Sequence, residues 1–337
     1  MKLCIFGGGA IGGYLAAHLA HVSWVDLSLV VRGEHFHAIK QDGLRLISPG
    51  GERCIKVKAT DNPSELGHQD VVILALKSHQ VTPALEQIKT LLGPDTVVIP
   101  PTTGIPYWYF HQMQGPLRDK RLDRIDPSGL QWKALEPRRV LGCVYWVASE
   151  VISPGVIHHD GSLSRFPIGE PDGSNSLRIE LLAKAFSSAG LEAPIVSDIR
   201  SWIWAKMISS LCWNPMAVLT KGTLAEMNDE ADVVDIVRRM MAEADDLALR
   251  SGVQQMPISI EDRIKAARMA GAHKMSMLQD FDRHRPLEID VLLDSVSAMK
   301  ELVGGQTPTL NDIYALLKLR IKTALTPDAL LPLPAAN

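Results

Sequence analysis

Three glycines near the start of the chain have the spacing of a phosphate-binding turn. Gly7, Gly9 and Gly12 form a G-x-G-x-x-G pattern that follows the apolar run Leu3–Phe6 and precedes an Ala- and Leu-rich segment. A strand, a glycine turn and a helix in this order are typical of dinucleotide sites, because the glycines let the pyrophosphate approach the backbone. An ordinary glycine-rich loop is the alternative. The predicted cofactor-binding residues of the turn are Gly7, Gly8, Gly9, Ala10, Ile11 and Gly12.

The residue after the second apolar run favours a phosphorylated dinucleotide. Leu27–Val31 is predicted to be a strand, and Arg32 follows it. NAD-specific sites usually place Asp or Glu here to bind the ribose 2′-hydroxyl, whereas an Arg binds a 2′-phosphate with its planar set of donors. We therefore predict NADP(H) as the cofactor. Glu34 keeps NAD(H) open, and a solvated surface role for Arg32 is the other alternative.

A lysine in the second half of the chain has the surroundings of an acid–base group. Lys206, Ser210 and Asn214 recur every four residues in a segment otherwise rich in Trp, Ile, Met and Leu, so they form one polar stripe on a predicted helix. Such a lysine extends to solvent, forms a structural ion pair or faces a polar cleft. In a cleft, its ammonium can stabilise the negative charge that develops on a carbonyl oxygen during hydride addition, and can supply the proton. Ser276 and Glu288 are candidates for the opposite wall of that cleft.

The elements that must position these residues fall into two groups. Up to residue 197, strand-like runs alternate with helical segments, and the clearest buried strand, Val71–Leu76, ends at Lys77, at the edge where open α/β sheets bind ligands. From residue 198 onward, helical periodicity dominates. The sequence therefore predicts an α/β Rossmann dinucleotide-binding domain, residues 1–197, followed by an all-α C-terminal domain, residues 198–337, that carries substrate and catalytic groups.

The predicted elements can be given by residue number. Further strands are expected at 96–99, 140–147, 155–159, 165–168 and 193–196, and a hairpin at 44–47 and 54–58. Helices of the second half are expected at 199–219, 230–251, 259–270, 287–303 and 311–323. The segment 105–138 is irregular, with a group of aromatic residues at 107–110 and at 132. It is either a lid or pocket wall, or an insertion packed on the domain surface.

The composition argues against several classes of partner. The 337 residues have a formal net charge of −3 and no basic stripe, so nucleic acid is not expected, and no apolar run is long enough to span a membrane. Five glycines interrupt the apolar N-terminal stretch, which argues against a signal peptide. The four scattered cysteines indicate reduced thiols in a cytoplasmic protein. No group of residues has metal-ligand spacing, so no metal is expected.

These features together resemble the ketopantoate reductase (2-dehydropantoate 2-reductase) family, over nearly the whole length. The resemblance rests on the opening glycine turn and on the strand that ends in Leu76-Lys77. It rests equally on the W-x-K-x-x-x-x-x-x-x-N-P pattern from Trp204 to Pro215, and on the S-M-L-Q-D segment that begins at Ser276 and is followed by E-I-D at 288–290. Each pattern alone is unspecific, but their combination is specific to the family.

The resemblance implies an NADPH-dependent reductase of a small 2-keto acid, first of all ketopantoate, in pantothenate biosynthesis. It implies that Arg32 binds the 2′-phosphate, that Lys206 is the general acid, and that Glu288 lies between cofactor and substrate and orients Lys206. It implies that Asn214 and Ser276 bind the substrate. The cofactor-binding residues that the resemblance adds to the glycine turn and Arg32 are Lys77, Thr103, Ala148 and Glu288.

Two positions depart from the family's pattern. The family commonly has Asn-Gly where this chain has Thr103-Gly104, and commonly has Asn at the substrate-binding position of Ser210. A hydroxyl reaches less far than an amide and offers one donor instead of two. The departures leave open a related 2-hydroxy-acid dehydrogenase with a bulkier or more apolar substrate. A non-catalytic NADPH-binding sensor is a separate alternative, and the presence of Lys206, Glu288 and Ser276 together argues against it. A homodimer is one assembly that the sequence allows.

Overall fold

The computed structural model describes residues 1–161 and 164–324, and these form two compact units. Of the described residues, the first unit consists of 1–161, 164–207, 248–257 and 289–303, and the second unit of 208–247, 258–288 and 304–324. The first unit extends past the predicted domain boundary at residue 197 and includes two later segments. The predicted boundary between residues 197 and 198 stays a prediction.

The first half of the chain alternates strands and helices. Its elements are β1 (Lys2–Phe6), α1 (Ala10–Leu19), β2 (Asp26–Val30), α2 (Gly33–Asp42), β3 (Leu44–Ser48), β4 (Gly51–Ile55), β5 (Lys58–Thr60), β6 (Gln69–Leu74), α3 (Ser78–Lys89), β7 (Leu92–Ile99), α4 (Leu130–Leu135), β8 (Gly142–Cys143), β9 (Ser149–Ser153), β10 (Val156–His159), β11 (Ile168–Gly169) and α5 (Leu177–Ser188). β1, β2, β5, β6 and β7 form a parallel sheet in the order β5-β2-β1-β6-β7. This is the Rossmann-type arrangement that the sequence predicts.

Both faces of the parallel sheet are buried, which explains why its central strands β1 and β6 contain continuous apolar runs. Leu3, Ile5 and Ile73 belong to one hydrophobic cluster, which includes residues of α1. Cys4 and Leu74 belong to a second cluster, which includes residues of α3. Since successive side chains of a strand point to opposite faces, a strand covered on both sides favours apolar residues at consecutive positions.

A smaller sheet accompanies the parallel sheet and was predicted only in part. Its order is β4-β3-β10-β9, and β3 pairs in parallel with β10 although more than a hundred residues separate them. The hairpin around Pro49 is confirmed, because β3 and β4 pair antiparallel. The strand predicted at 140–147 is reduced to β8, with isolated bridges at Val140 and Trp146. At 193–196 the structure shows only an isolated bridge at Ile195.

The aromatic residues after β7 lie in the interior of the first unit. Tyr107, Trp108, Tyr109 and Phe110 are all buried. The hydroxyl of Tyr109 accepts a hydrogen bond from Trp204 Nε1 at 2.8 Å. These four side chains therefore form core rather than the wall of an open pocket, and the lid interpretation does not apply to them.

The rest of the described chain is helical, as the sequence predicts. Its helices are α6 (Ile199–Thr220), α7 (Leu224–Asp229), α8 (Ala231–Arg250), α9 (Ile260–Met269), α10 (Ser276–Asp282), α11 (Ile289–Val303) and α12 (Pro308–Ala324). α6 and α8 each contribute to both units. Within the second unit, the carboxylate of Glu243 accepts hydrogen bonds from the backbone N–H groups of Thr309 and Leu310 at 2.8 and 3.0 Å, which stabilises the first turn of α12.

Candidate active site

The glycine turn between β1 and α1 is fixed by close backbone packing. Gly7 has a φ of +111°, and a Cβ atom there would lie 2.6 Å from the carbonyl oxygen of Ala75. A Cβ atom on Gly12 would overlap the carbonyl oxygen of Gly7. Gly9 differs, because it is exposed and no heavy atom would come within 4 Å of its Cβ. Two glycines are thus required by the fold, and the third faces open space.

The open space at Gly9 adjoins the N-terminus of α1. Gly9 is the N-cap residue and provides no side-chain hydrogen bond to the first turn, which contains Ala10 and Ile11. The first N–H groups of a helix lack partners within the helix and carry partial positive charge. Unpaired N–H groups beside open space fit the pyrophosphate of a dinucleotide.

Two other predicted cofactor residues, Arg32 and Lys77, follow strands that end at the same edge of the parallel sheet. The backbone N–H of Gly7 donates to Val30 O at 2.9 Å, and that of Ala75 donates to Phe6 O at 2.9 Å, so β1, β2 and β6 end side by side. Arg32 therefore follows one neighbouring strand and Lys77 the other.

The side chains at this edge differ in exposure. Arg32 is exposed and has no hydrogen bond or ion pair within residues 1–161 and 164–324, and it is the N-cap of α2. Lys77 is half-buried and is the N-cap of α3, where its backbone N–H donates to Gln80 Oε1 at 3.2 Å. Ala148, another predicted cofactor residue, is half-buried and directly precedes β9 of the smaller sheet.

The turn after β7 is held against α11 within the first unit. The backbone N–H of Ile105 donates to Ser295 Oγ at 2.9 Å, and a Cβ on Gly104 would lie 2.5 Å from the same oxygen. Thr102 Oγ1 donates to the carbonyl oxygen of Cys143 at 3.0 Å. The two hydrogen bonds fix the backbone on either side of Thr103, whose side chain is half-buried.

α6 carries the predicted acid–base and substrate residues in the predicted register. Lys206 is half-buried, between turns that contain the buried residues Ile203 and Met207. Ser210 and Asn214 follow one and two turns later on the same helix. The polar stripe that the spacing predicts is therefore on one continuous helix.

Two of the predicted substrate residues come together in the second unit. Asn214 is only 4% exposed, and its Oδ1 accepts a hydrogen bond from the backbone N–H of Met277 at 3.3 Å. Met277 follows Ser276, which is exposed and begins α10. Asn214 thus bonds to the residue next to Ser276, although Asn214 and Ser276 are 62 positions apart in the sequence.

Glu288 has an unsatisfied carboxylate oxygen. It directly precedes α11, and its Oε1 is buried without a hydrogen-bond partner in residues 1–161 and 164–324. An unpaired buried oxygen is costly unless a bound polar group or water completes it. This observation fits a ligand-binding role. The predicted pairing of Glu288 with Lys206 stays a prediction, since the two residues belong to different units.

Two residues near the predicted site were missed by sequence reasoning. Ser295, on α11, accepts a hydrogen bond from the backbone N–H of Ile105. The sequence signal that could have found it is a serine on the apolar face of a predicted helix. His35 contacts the glycine turn, and no local pattern indicates that contact.

The described residues also limit the chemistry of the site. In residues 1–161 and 164–324, no group of three or more His, Cys, Asp or Glu side chains could hold a metal ion. No helix in that part of the chain has the length and apolar character to cross a membrane. Cys4, Cys54, Cys143 and Cys212 are all free thiols.

The parallel sheet, the glycine turn at its edge and the helical second half define a Rossmann-type oxidoreductase. Comparison with known proteins gives the family. The model of the ketopantoate reductase PanE/ApbA family matches residues 3–173, and the model of its C-terminal part matches residues 198–321. The chain belongs to the ketopantoate reductase family.

Individual relatives agree with this assignment. A 2-dehydropantoate 2-reductase of Mesorhizobium japonicum is 47% identical over 319 residues, which cover 94% of this chain and 97% of that protein. A crystal structure assigned as a ketopantoate reductase of Ralstonia solanacearum is 36% identical with a TM-score of 0.85, and the match covers 95% and 98% of the two chains. D-mandelate dehydrogenase in complex with NADH and anilino(oxo)acetate is 21% identical with a TM-score of 0.79 over 96% and 99% of the chains, and so shares the fold.

Proposed function

We propose that this chain catalyses the NADPH-dependent reduction of a small 2-keto acid to its 2-hydroxy acid, with 2-dehydropantoate as the substrate. The observation that carries the proposal is the half-buried Lys206 on a helix that continues into Ser210 and Asn214. This helix occurs in a chain whose glycine turn is open beside a helix N-terminus. The name of the 47% identical relative from Mesorhizobium japonicum supports the choice of substrate.

The residues at the sheet edge bind the cofactor, which supplies a hydride when it is bound. The backbone N–H groups around Gly9 and the N-terminus of α1 receive the pyrophosphate. Arg32 donates to the 2′-phosphate, for which its exposed and unpaired guanidinium is suited. Lys77, Thr103 and Ala148 line the same cofactor site.

Lys206 supplies the proton of the reaction. As the carbonyl carbon gains a hydride and the C=O π bond breaks, negative charge develops on the oxygen. The Lys206 ammonium stabilises that charge and transfers a proton to the oxygen, which completes the alcohol. The neutral amine is then reprotonated from water. The same positive charge attracts the substrate carboxylate.

The remaining predicted residues orient the substrate. Asn214 and Ser276 lie close together in the second unit and bind the substrate hydroxyl and carboxylate, with Ser210 one turn from Asn214. Glu288 orients the Lys206 ammonium, which would satisfy the buried oxygen of this carboxylate. The free thiols support a reducing, cytoplasmic compartment, and the product fits the pathway to pantothenate.

A second substrate class is favoured by Thr103 and Ser210. Both replace an amide with a shorter hydroxyl side chain, which leaves room for a bulkier or more apolar keto acid. Incubation with NADPH and a panel of 2-keto acids, followed by NADPH absorbance, distinguishes the possibilities. Turnover of 2-dehydropantoate supports the proposal, and turnover of aryl or branched acids alone favours the second class. Tight NADPH binding without turnover of any acid would indicate a sensor.

A further inference from the structure

His35 links the glycine turn to the smaller sheet through both ring nitrogens. His35 lies in the first turn of α2, three residues after Arg32. Its Nε2 is 2.7 Å from the carbonyl oxygen of Gly8, and its Nδ1 is 2.7 Å from the backbone nitrogen of Gly155, in the β9–β10 turn. The side chain therefore joins three segments of the first unit around the predicted cofactor site.

The contact with Gly155 determines which nitrogen carries the proton. The backbone N–H of Gly155 can only donate, so Nδ1 must accept and is unprotonated. In the neutral ring the proton then resides on Nε2, which donates it to Gly8 O. Burial lowers the pKa of His35, in spite of an opposing effect of the bond to Gly8, and this favours the neutral ring. One hydrogen bond thus sets the direction of the other.

The bond to Gly8 O fixes the peptide plane that joins Gly8 to Gly9. In a trans peptide, the C=O and the N–H point in opposite directions. Because His35 holds the carbonyl, the Gly9 N–H points away from His35, and it has no hydrogen-bond partner in residues 1–161 and 164–324. A peptide between two glycines rotates at little steric cost, since neither residue has a Cβ. Without the bond, the carbonyl could turn toward the phosphate position and repel it.

We propose that His35 is a positioning residue, which holds the Gly8–Gly9 peptide with its N–H directed to the pyrophosphate of the cofactor. This inference rests on the proposed function, since it needs a dinucleotide at the glycine turn. It assigns to His35 an effect on cofactor affinity without any contact between the imidazole and the cofactor.

Two substitutions separate positioning from simple support of the fold. In H35Q, the amide nitrogen takes the place of Nε2, so the bond to Gly8 is kept and that to Gly155 is lost. In H35N, the amide oxygen takes the place of Nδ1, so the bond to Gly155 is kept and that to Gly8 is lost. Each variant loses one hydrogen bond to the backbone, so the two are matched for their effect on stability.

The test is a titration of the wild-type chain and both variants with NADPH, together with their thermal unfolding. We expect similar unfolding temperatures for the variants, near-wild-type affinity in H35Q and about a threefold to tenfold higher Kd in H35N. The ¹⁵N spectrum of the wild-type imidazole should show the proton on Nε2. Equal Kd values for NADPH in the two variants, or a proton on Nδ1, would overturn the inference about His35 and leave the proposed function intact. Failure of the wild-type chain to bind NADPH would overturn the proposed function as well.

Discussion

In the proposed function, Arg32 is the residue that decides between the two nicotinamide cofactors. It is exposed at the start of α2 and lacks a charged partner in residues 1–161 and 164–324, so its charge is available to a 2′-phosphate. We expect Arg32→Ala to raise the Kd for NADPH by about tenfold to a hundredfold, as the loss of a charge-assisted hydrogen bond predicts. The Kd for NADH should change little. Fluorescence titration with both cofactors measures the difference.

A lysine on the same helix provides the control for this charge. Lys40 is exposed on α2, seven residues after the start of the helix at Gly33, and Lys40→Ala removes the same formal charge. It should leave both Kd values nearly unchanged. An equal loss of NADPH and NADH affinity in Arg32→Ala would mean that the 2′-phosphate is bound elsewhere.

Gly9 and Gly12 should respond differently to the same added methyl group. In Gly12→Ala the Cβ overlaps the Gly7 carbonyl oxygen, so we expect the turn to open, the unfolding temperature to fall and NADPH binding to be lost. In Gly9→Ala the Cβ meets no protein atom, so the unfolding temperature should hold. NADPH affinity should still fall, because the methyl group occupies the space for the phosphates. Gly9→Ala with unchanged affinity would remove Gly9 from the cofactor site.

At the scale of elements, the sequence predicted those strands, helices and turns that depend on residues adjacent in the chain. β1, the glycine turn and α1 follow from adjacent residues, and so does the polar stripe on α6, because a helix places residues four apart on one face. β5 and β9 were missed because they are short and partly exposed. β5 pairs with β2, which lies well before it in the chain, and β9 pairs with β10, the next strand. The short helices α7 and α10 were missed for a similar reason, since seven residues or fewer carry little periodicity.

The aromatic segment and the candidate substrate residues show a second limit of prediction from sequence. Tyr109 and its neighbours are buried because distant elements cover them, which no local pattern reveals. Asn214 and Ser276 were linked by resemblance to a family, and their proximity depends on the packing of α6 and α10 within the second unit. Spacing in the sequence identified the candidate site residues, whereas tertiary packing determines which residues lie next to them in space.

The contact between α11 and the turn after β7 gives a prediction at this scale. Ser295 is fully buried and accepts the Ile105 N–H, so Ser295→Ala leaves that N–H unpaired. We expect a loss of about 1–3 kcal/mol in the free energy of unfolding, measured by urea denaturation. Ser297→Ala on the same helix is the control, because Ser297 is half-buried and makes no such bond in residues 1–161 and 164–324. Equal effects of the two substitutions would contradict the importance of the contact.

For the whole molecule, two half-buried histidines predict a dependence of stability on pH. Burial lowers the pKa values of His18 and His35 from the ordinary 6.5, so both stay neutral to a lower pH in the folded chain than in the unfolded chain. Below about pH 6.5 the unfolded chain binds protons that the folded chain does not, so the free energy of unfolding should fall as the pH falls. The free energy of unfolding stops falling from this cause once the pH is below the pKa values that His18 and His35 have in the folded chain.

Substitution of the histidines tests the origin of this pH dependence. Urea denaturation between about pH 7.5 and about pH 5.5 should show a smaller fall in unfolding free energy for His18→Gln than for the wild-type chain. His68→Gln, at an exposed position, serves as the control and should keep the wild-type fall. A His18→Gln variant with the full wild-type dependence would place the titrating groups elsewhere.

The proposed reaction depends on the ammonium group of Lys206 acting on a keto acid beside a bound nicotinamide cofactor. The most direct measurement is the rate of NADPH oxidation with 2-dehydropantoate, compared among the wild-type chain, Lys206→Gln and Lys265→Gln, where Lys265 is an exposed lysine of α9. We predict turnover by the wild-type chain and by Lys265→Gln, and a kcat lower by about two to four orders of magnitude in Lys206→Gln with the Kd for NADPH unchanged. An unchanged kcat in Lys206→Gln would contradict the account.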